Sequence, residues 1–472
     1  MTTTYKALHL FCGIGGGALG FQEAREEYRG VVGRIETIVG IDNDPEACED
    51  FEIITGAPSV QMDLFSKGQY VDFHGEEPGT DWNEVKPSDL LDATDGVYPD
   101  IVFTSAPCKS FSGLLGKDRA KTRKYRALSK LTIRGIKLTL EAFEDDLPSL
   151  ILFENVPRIT TRGKDLLDKI KKLLKRHGYE VSDGFHDCGS IGGLAQTRKR
   201  YLLIARNARK VDSFVYHPPS KPMKAVGDVL ESLPIPDGVA GGKMHKVPRL
   251  QLKTWIRLAL IRPGKDWRDL ESVDYEKYGL VPLSTGFKSG THGTIYKVSR
   301  WNEPANTVTG SFRPNNGAIC INDPRLGCRP RSGTYGVLAW DQVASTVTGS
   351  ADVHASTCAV ADPRIPRLNE SGNWIILSED GNWHRPLTTL ELAALQGFPT
   401  SINGRPLELS GKSEQRWRER IGNAVPPAAA RAIAETMLRT LLATRQTDWL
   451  MSSEEIWVQP IKDELEATRA TG

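Results

Sequence analysis

The chain has 472 residues, of which 39% are hydrophobic and 25% charged, with a formal net charge of +2. That length supports an enzymatic core with a further domain, and the near-neutral balance means that any polyanion site has to come from local clustering. No run approaches the roughly 18 to 20 apolar residues of a membrane span, which argues against secretion and membrane insertion. The seven cysteines are odd in number, scattered and never in a Cys-x-x-Cys pair, which fits a reducing cytoplasm without structural zinc.

The first predicted strand is Ala7-Leu8-His9-Leu10-Phe11, which runs into Cys12-Gly13-Ile14-Gly15-Gly16-Gly17 and a helix. Glycines at such a turn let the backbone approach a ligand, and the helix amino end favours negative charge. Gly13-x-Gly15-x-x-Ala18 also meets a loose dinucleotide pattern, so a nicotinamide enzyme stays open at this point. Ile38 to Ile41 predicts a second strand ending at Asp42, a carboxylate suited to ribose hydroxyls. Asp63, after Val60-Gln61-Met62, is placed to meet an adenine amino group or to lie at the surface.

Ile101 to Thr104 predicts a strand ending in Ser105-Ala106-Pro107-Cys108-Lys109-Ser110-Phe111-Ser112. Cysteines at strand ends usually pack in cores, but one after a proline and beside a lysine suits a nucleophile. From Lys117 to Lys130 seven basic residues face the single acid Asp118. Leu150 to Phe153 is a further strand, followed directly by Glu154-Asn155-Val156, and the apolar spacing from Asp165 to Arg176 predicts a helix. Gln196-Thr197-Arg198-Lys199-Arg200 leads into the strand Tyr201 to Ile204, and alternation puts Gln196, Arg198 and Arg200 on one side. Strands alternating with helices predict an α/β fold with a mainly parallel sheet, whose ligands bind beyond the carboxyl ends of the strands.

After Arg206 the texture changes to prolines, glycines and long loops, and a boundary falls near residue 215. From Tyr216 to Arg300 there are 14 Lys plus Arg against 8 Asp plus Glu, a local excess of +6. Trp301 to Ser311 recurs as Trp340 to Ser350 at an offset of 39 residues, and Asp323-Pro324-Arg325 recurs as Asp362-Pro363-Arg364. Two copies are too few for a solenoid, and each Thr-Val-Thr reads as a strand with Gly-Ser as its turn. Thr388 with Glu391 forms a capping box, so a helix starts there, and Pro426-Pro427 opens another that runs to about Leu442. The residues beyond Ala443 read as a frayed polar tail.

Several of these segments occur in the order found in DNA cytosine-5 methyltransferases of the bacterial or phage type, and the chain resembles that family. The segments are Phe-Cys-Gly-Ile-Gly-Gly (11–16), Pro-Cys (107–108), Glu-Asn-Val (154–156), Gln-x-Arg-x-Arg (196–200), Arg-Pro-Leu-Thr with Leu-Gln-Gly-Phe-Pro (385–399) and Gly-Asn-Ala-Val-Pro (422–426). The resemblance implies a Rossmann-like S-adenosylmethionine-dependent catalytic lobe over 1–215 that returns over 385–445. Between them it implies an inserted β-rich target-recognition domain over 216–384 containing the duplication, and 446–472 is a tail.

The resemblance also assigns roles. Cys108 adds to cytosine C6, and Glu154 protonates N3. Arg200 holds the base carbonyl O2, Arg198 braces the acidic site and Gln196 supports the strand. Phe11, Gly13, Ile14, Gly15, Gly16, Asp42, Asn43, Asp63, Pro107 and Asn423 are implied for S-adenosylmethionine. Lys109, Ser112 and Arg300 are implied for DNA contact, with Arg325 and Arg364 as further readers or salt-bridged surface arginines, and no metal is implied. The segment Lys109 to Lys130 is implied to be a mobile loop that closes on DNA, and the target base must be flipped out of the duplex. The implied setting is a monomer on double-stranded DNA in the cytoplasm of a bacterial cell or phage-infected host, off the membrane, with a cognate restriction endonuclease as the partner in a restriction-modification system. The chain departs from the family pattern at Lys109, usually Gln, and at His9, often Asp. A regulator that keeps the fold without turnover and an RNA cytosine-5 methyltransferase are the alternatives.

Overall fold

A computed structural model describes residues 1–107, 111, 122–211, 218–278, 280, 283, 295–310, 313–325, 337–338, 359–360 and 371–445. Cys108, Lys109, Ser112, the second copy of the repeat, Arg364 and the tail 446–472 lie outside the described residues. The chain divides into two compact units. One comprises Met1–Ser232, Pro304–Gly310 and Thr389–Gly472, and the other Leu233–Glu303 and Ser311–Thr388. Among the described residues, no helix is long and apolar enough to cross a membrane.

The first unit is built on an eight-stranded sheet: β1 (Thr2–Leu10), β2 (Arg25–Tyr28), β3 (Val31–Asp42), β4 (Ser59–Gln61), β5 (Ile101–Thr104), β6 (Leu150–Asn155), β7 (Tyr179–Asp187) and β8 (Lys199–Asn207). The order is β2-β3-β1-β5-β6-β8-β7, with β4 also beside β3. The pairs joining β1, β3, β4, β5 and β6 are parallel, whereas β8 runs antiparallel to both β6 and β7. The interior strands are apolar on both faces, as a sheet covered on both sides requires. Alternation divides their side chains: Ala7, Phe103 and Leu152 enter one core, and Leu8, Val102 and Ile151 the other.

Helices cover the two faces. Over the first core lie α1 (Gly16–Glu23) and, from the far end of the chain, the helix Pro427–Arg445, which contributes Ala429, Ile433, Met437 and Leu441. The second core is closed by α2 (Arg123–Ala142) and α3 (Lys164–Arg176). The residues Arg123 to Lys130, read from sequence as part of a mobile loop, are the opening turns of α2. Ala127, Leu128 and Leu131 point into the core and fix that register.

The second unit has short strands. Val298–Ser299, Cys320–Asp323 and Trp383–Pro386 form a small sheet, and Trp255 of the helix Leu252–Leu260 stacks on Trp383 at 5.9 Å. Asp323, buried at the end of its strand, is bound by Arg385 at 2.7 Å and Arg325 at 3.0 Å. Arg325 is thereby a structural arginine. Thr307-Val308-Thr309 of the first repeat copy is not a strand: only Ala305 makes a bridge, to Gln196, and the Val308 N–H donates to the Gln196 side chain instead of to a neighbouring strand. β-branched residues favour extended backbone, yet a side chain has taken the ladder's place.

Candidate active site

The carboxyl ends of β1, β3, β5 and β6 share one edge of the sheet, and the site assembles there. The turn after β1 needs unusual backbone: Phe11, Gly13 and Gly15 have φ of 53°, 51° and 82°. A Cβ on Gly16 would collide with the Val425 carbonyl oxygen, so α1 can approach the returning C-terminal segment only with glycine there. Asp42 ends β3 with both oxygens engaged, Oδ2 accepting from the Gly13 N–H at 2.9 Å and Oδ1 from the Asp44 N–H at 3.0 Å. Its pKa is raised by burial. The carboxylate therefore shapes the glycine turn as well as facing the cavity.

That cavity has a volume of about 460 Å³, within the range of small-molecule sites. It brings together Phe11, Gly13, Asp42, Asn43, Asp63, Pro107 and Asn423, residues far apart in sequence, and its wall also includes Glu154 and Arg200. Ile14, Gly15 and Gly16, expected at the cofactor, do not line it: Ile14 is buried, Gly15 faces Phe51 and Thr55, and Gly16 faces Val425. Apolar walls from Leu128 and Leu131, a buried carboxylate and glycines at the point of closest approach suit a nucleoside-like ligand with a charged end.

Glu154, near the end of β6, is only 6% exposed. The Arg200 Nε lies 2.8 Å from its Oε1, and the Ser105 hydroxyl donates to Oε2 at 2.7 Å. The antiparallel pairing of β6 with β8 puts Glu154 opposite Leu202, two residues from Arg200, and the parallel pairing of β5 with β6 brings Ser105 alongside. Pro107 lines the same cavity. A carboxyl group, an arginine and a hydroxyl thus converge beside the cofactor-sized space.

Residues 5–439 match the family described as C-5 cytosine-specific DNA methylase. The chain belongs to that family. It is 24% identical over 311 residues to a Type II methylase of Herpetosiphon aurantiacus, across 64% of this chain and 75% of the relative. It is 23% identical over 448 residues to a Type II methyltransferase of Haemophilus parahaemolyticus, across 93% and 87%. A solved structure from an Escherichia coli prophage, described as a DNA modification methyltransferase, aligns with a TM-score of 0.50 at 17% identity, covering 93% of this chain and 99% of that one, and shares the fold. The activity of this cytosine-5 methyltransferase is methyl transfer to cytosine in DNA, and its family and fold imply S-adenosylmethionine as the donor.

Within the methyltransferase, the three alternating residues of the Gln-x-Arg-x-Arg segment do different work. Arg200 reaches Glu154. The Arg198 guanidinium, fully buried, donates to the carbonyls of Val308, Gly422 and Ala424, which fastens the loop carrying Asn423. Gln196 donates to the Leu395 carbonyl and to Gln396 Oε1. Of the residues expected at DNA, Arg300 is paired with Glu303 at 2.6 Å in the second unit. Asp63 accepts from the Trp82 indole N–H at 3.1 Å and the Phe65 N–H at 3.0 Å.

Burial pushes the thiol of Cys12, which lines the cavity, well above its usual value, and pushes Cys48 and Cys188 up to about 11. These three cysteines are held as neutral thiols and make poor nucleophiles. His9 is wedged between Phe21 and Phe103, with ring centroids 5.3 and 5.7 Å away. Burial lowers its pKa to about 3, so the ring is neutral. Sequence reading missed Ser105 as a partner of Glu154, and also Arg416, Glu419 and Arg420, which line the cavity from the helix Glu414–Asn423.

Proposed function

We propose that this methyltransferase acts on a cytosine flipped out of a specific double-stranded DNA sequence, through a covalent bond between Cys108 and C6. The observation that carries the reading is the Ser105–Glu154–Arg200 cluster in the wall of the cavity that Pro107, the residue before Cys108, also lines. Cytosine C5 is too weak a nucleophile to attack a sulfonium methyl group unaided. The Cys108 thiolate adds to C6, Glu154 delivers a proton to N3, and the ring becomes an enamine with electron density at C5. S-adenosylmethionine, when bound, supplies the methyl cation equivalent that C5 takes up. Loss of the C5 proton to a base then expels the Cys108 thiolate, and N3 gives its proton back to Glu154, which restores the aromatic ring.

Each remaining side chain has a role in this scheme. Arg200 holds both Glu154 and the base carbonyl O2, and Ser105 fixes the second carboxyl oxygen. Arg198 braces the site at one remove, through the Asn423 loop. Phe11, Gly13, Asp42, Asn43, Asp63, Pro107 and Asn423 would hold the donor, over the turn shaped by Ile14, Gly15 and Gly16. Lys109, Ser112 and Arg300 would meet DNA, with the region 216–384 as the target-recognition domain. Type II relatives favour a restriction-modification setting with a cognate endonuclease.

The test is covalent trapping. With S-adenosylmethionine and duplex DNA containing 5-fluorocytosine, the wild-type chain should form a denaturation-resistant adduct, because fluorine cannot leave as a proton does. Cys108→Ser should form none and incorporate no tritiated methyl group. A fully active Cys108→Ser protein, or methylation of transfer RNA in preference to duplex DNA, would overturn the reading.

A further inference from the structure

Away from the cofactor cavity, α2 and α3 flank a second and larger groove of about 1180 Å³. Its lining from α2 includes Arg126, Lys130, Arg134 and Lys137, and from α3 Lys169, Lys172 and Arg176. The spacing is that of one helical stripe on each side, so the cations form two facing rows. The α2 row runs from Arg126 to Lys137, roughly 16 Å at 1.5 Å per residue, and the α3 row from Lys169 to Arg176, roughly 10 Å. One acid, Asp165, shares the lining.

These charges are mostly uncompensated. Arg134 pairs with Glu84 at 2.9 Å and Lys137 with Glu141 at 3.3 Å. Among the described residues, no carboxylate lies within ion-pair distance of Arg126, Lys130, Lys169, Lys172 or Arg176, and all five are exposed. Like charges in facing rows repel one another, and a solvated helix surface ordinarily intersperses acids. A groove that leaves five of these seven cations without an acid partner among the described residues is suited to a linear polyanion. A single small anion would engage only one or two cations and leave the rest opposed.

The groove starts at the catalytic edge. α2 leads into β6 and α3 into β7, and these two strands run the same way, so both helices begin where β5 and β6 end. Phe111, three residues after Cys108, is buried against Gly163 at the head of α3 and forms part of the groove wall. We infer that this groove takes the phosphate backbone of the substrate DNA on one flank of the target cytosine. The inference rests on the proposed action on duplex DNA, and extends the footprint along the outside of the catalytic unit, independently of the base read.

Lys130, Lys169 and Lys172 lie outside the cofactor and catalytic machinery, which makes K130E/K169E/K172E the direct test. Binding is read by fluorescence anisotropy over a salt series, on a mixed-sequence duplex with long flanks and on a short one trimmed close to the width of the cofactor face. The expected result is at least about a tenfold weaker affinity for the long duplex, with a salt slope smaller by about 2 to 3, since each phosphate contact contributes about 0.9. Affinity for the short duplex, and its methylation, should stay within about twofold of wild type. K130A/K169A/K172A should give an intermediate loss on the long duplex at unchanged thermal stability, which separates lost contacts from misfolding. Equal losses on both duplexes, or an unchanged salt slope on the long one, would overturn the groove assignment while leaving methyl transfer intact. A wild-type chain that methylates neither duplex would instead overturn the reading beneath it.

Discussion

The two halves of the catalytic edge are built by different means. At β1 and β3 the site is made of backbone: left-handed turn residues, a carboxylate whose oxygens bind the N–H groups of Gly13 and Asp44, and a glycine that leaves room for the Val425 carbonyl. At β5, β6 and β8 it is made of side chains, with Glu154 held between Arg200 and Ser105. The first half recognises shape and should fail when atoms are added. The second handles protons and should fail when charge or a hydrogen bond is removed while the shape stays the same.

The largest expected effect is on the side-chain half. Glu154→Gln is isosteric, so donor binding measured by calorimetry should be unchanged while methyl transfer falls by about 10²- to 10⁴-fold. Equal losses of binding and rate would erase the distinction. Gly16→Ala should do the reverse, lowering thermal stability by about 3 kcal/mol and weakening donor binding, because the added methyl meets a backbone oxygen that cannot swing aside.

Ser105→Ala removes one hydrogen bond from Glu154 and should cost about tenfold in the methyl-transfer rate. It should also shift the pH-rate profile, a readout that a packing role would leave alone. The last effect concerns His9 and is read in stability alone. Its folded pKa of about 3 lies below the ordinary 6.5, so the unfolded chain takes up a proton that the folded one refuses. Stability from this residue is complete above about pH 6.5 and declines as the pH falls toward 3. His9→Phe should therefore lose about 2 kcal/mol less than wild type between about pH 7.5 and 5 in denaturant melts. His186, lowered to about 4, keeps its own share in both proteins. An identical pH slope in the two proteins would show that His9 is not held neutral.

Strand ends were legible because chemistry breaks the hydrophobic pattern there: Asp42, Glu154 and Arg200 are polar residues abutting apolar runs. What was not legible depends on contacts between distant segments. Arg198 carries the same alternation as Arg200, and only the return of residues 422–424 shows that it binds carbonyls there. Ser105 has no spacing signal, since its role comes from the register of β5 against β6. The cations of α2 did carry a signal, at positions 126, 130, 134 and 137, but the loop implied by the family resemblance covered the first two. Thr307-Val308-Thr309 misled because β-branched residues mark extended chain without specifying a partner.

The helix Pro427–Arg445 covers the face of the sheet formed by Ala7, Phe103 and Leu152. Arg416, Glu419, Arg420 and residues 422–425 line the cavity, and two of the carbonyls that bind Arg198 come from the same late segment. On the ribosome, then, the first eight strands emerge with one greasy side uncovered and the donor pocket open, and they wait through the synthesis of the entire second unit before either is closed. Contacts that span more than two hundred residues form slowly, and an exposed apolar sheet face invites association in the meantime. A cell making this enzyme therefore carries a nascent chain that needs shielding yet cannot mark any genome until the helix Pro427–Arg445 has left the tunnel.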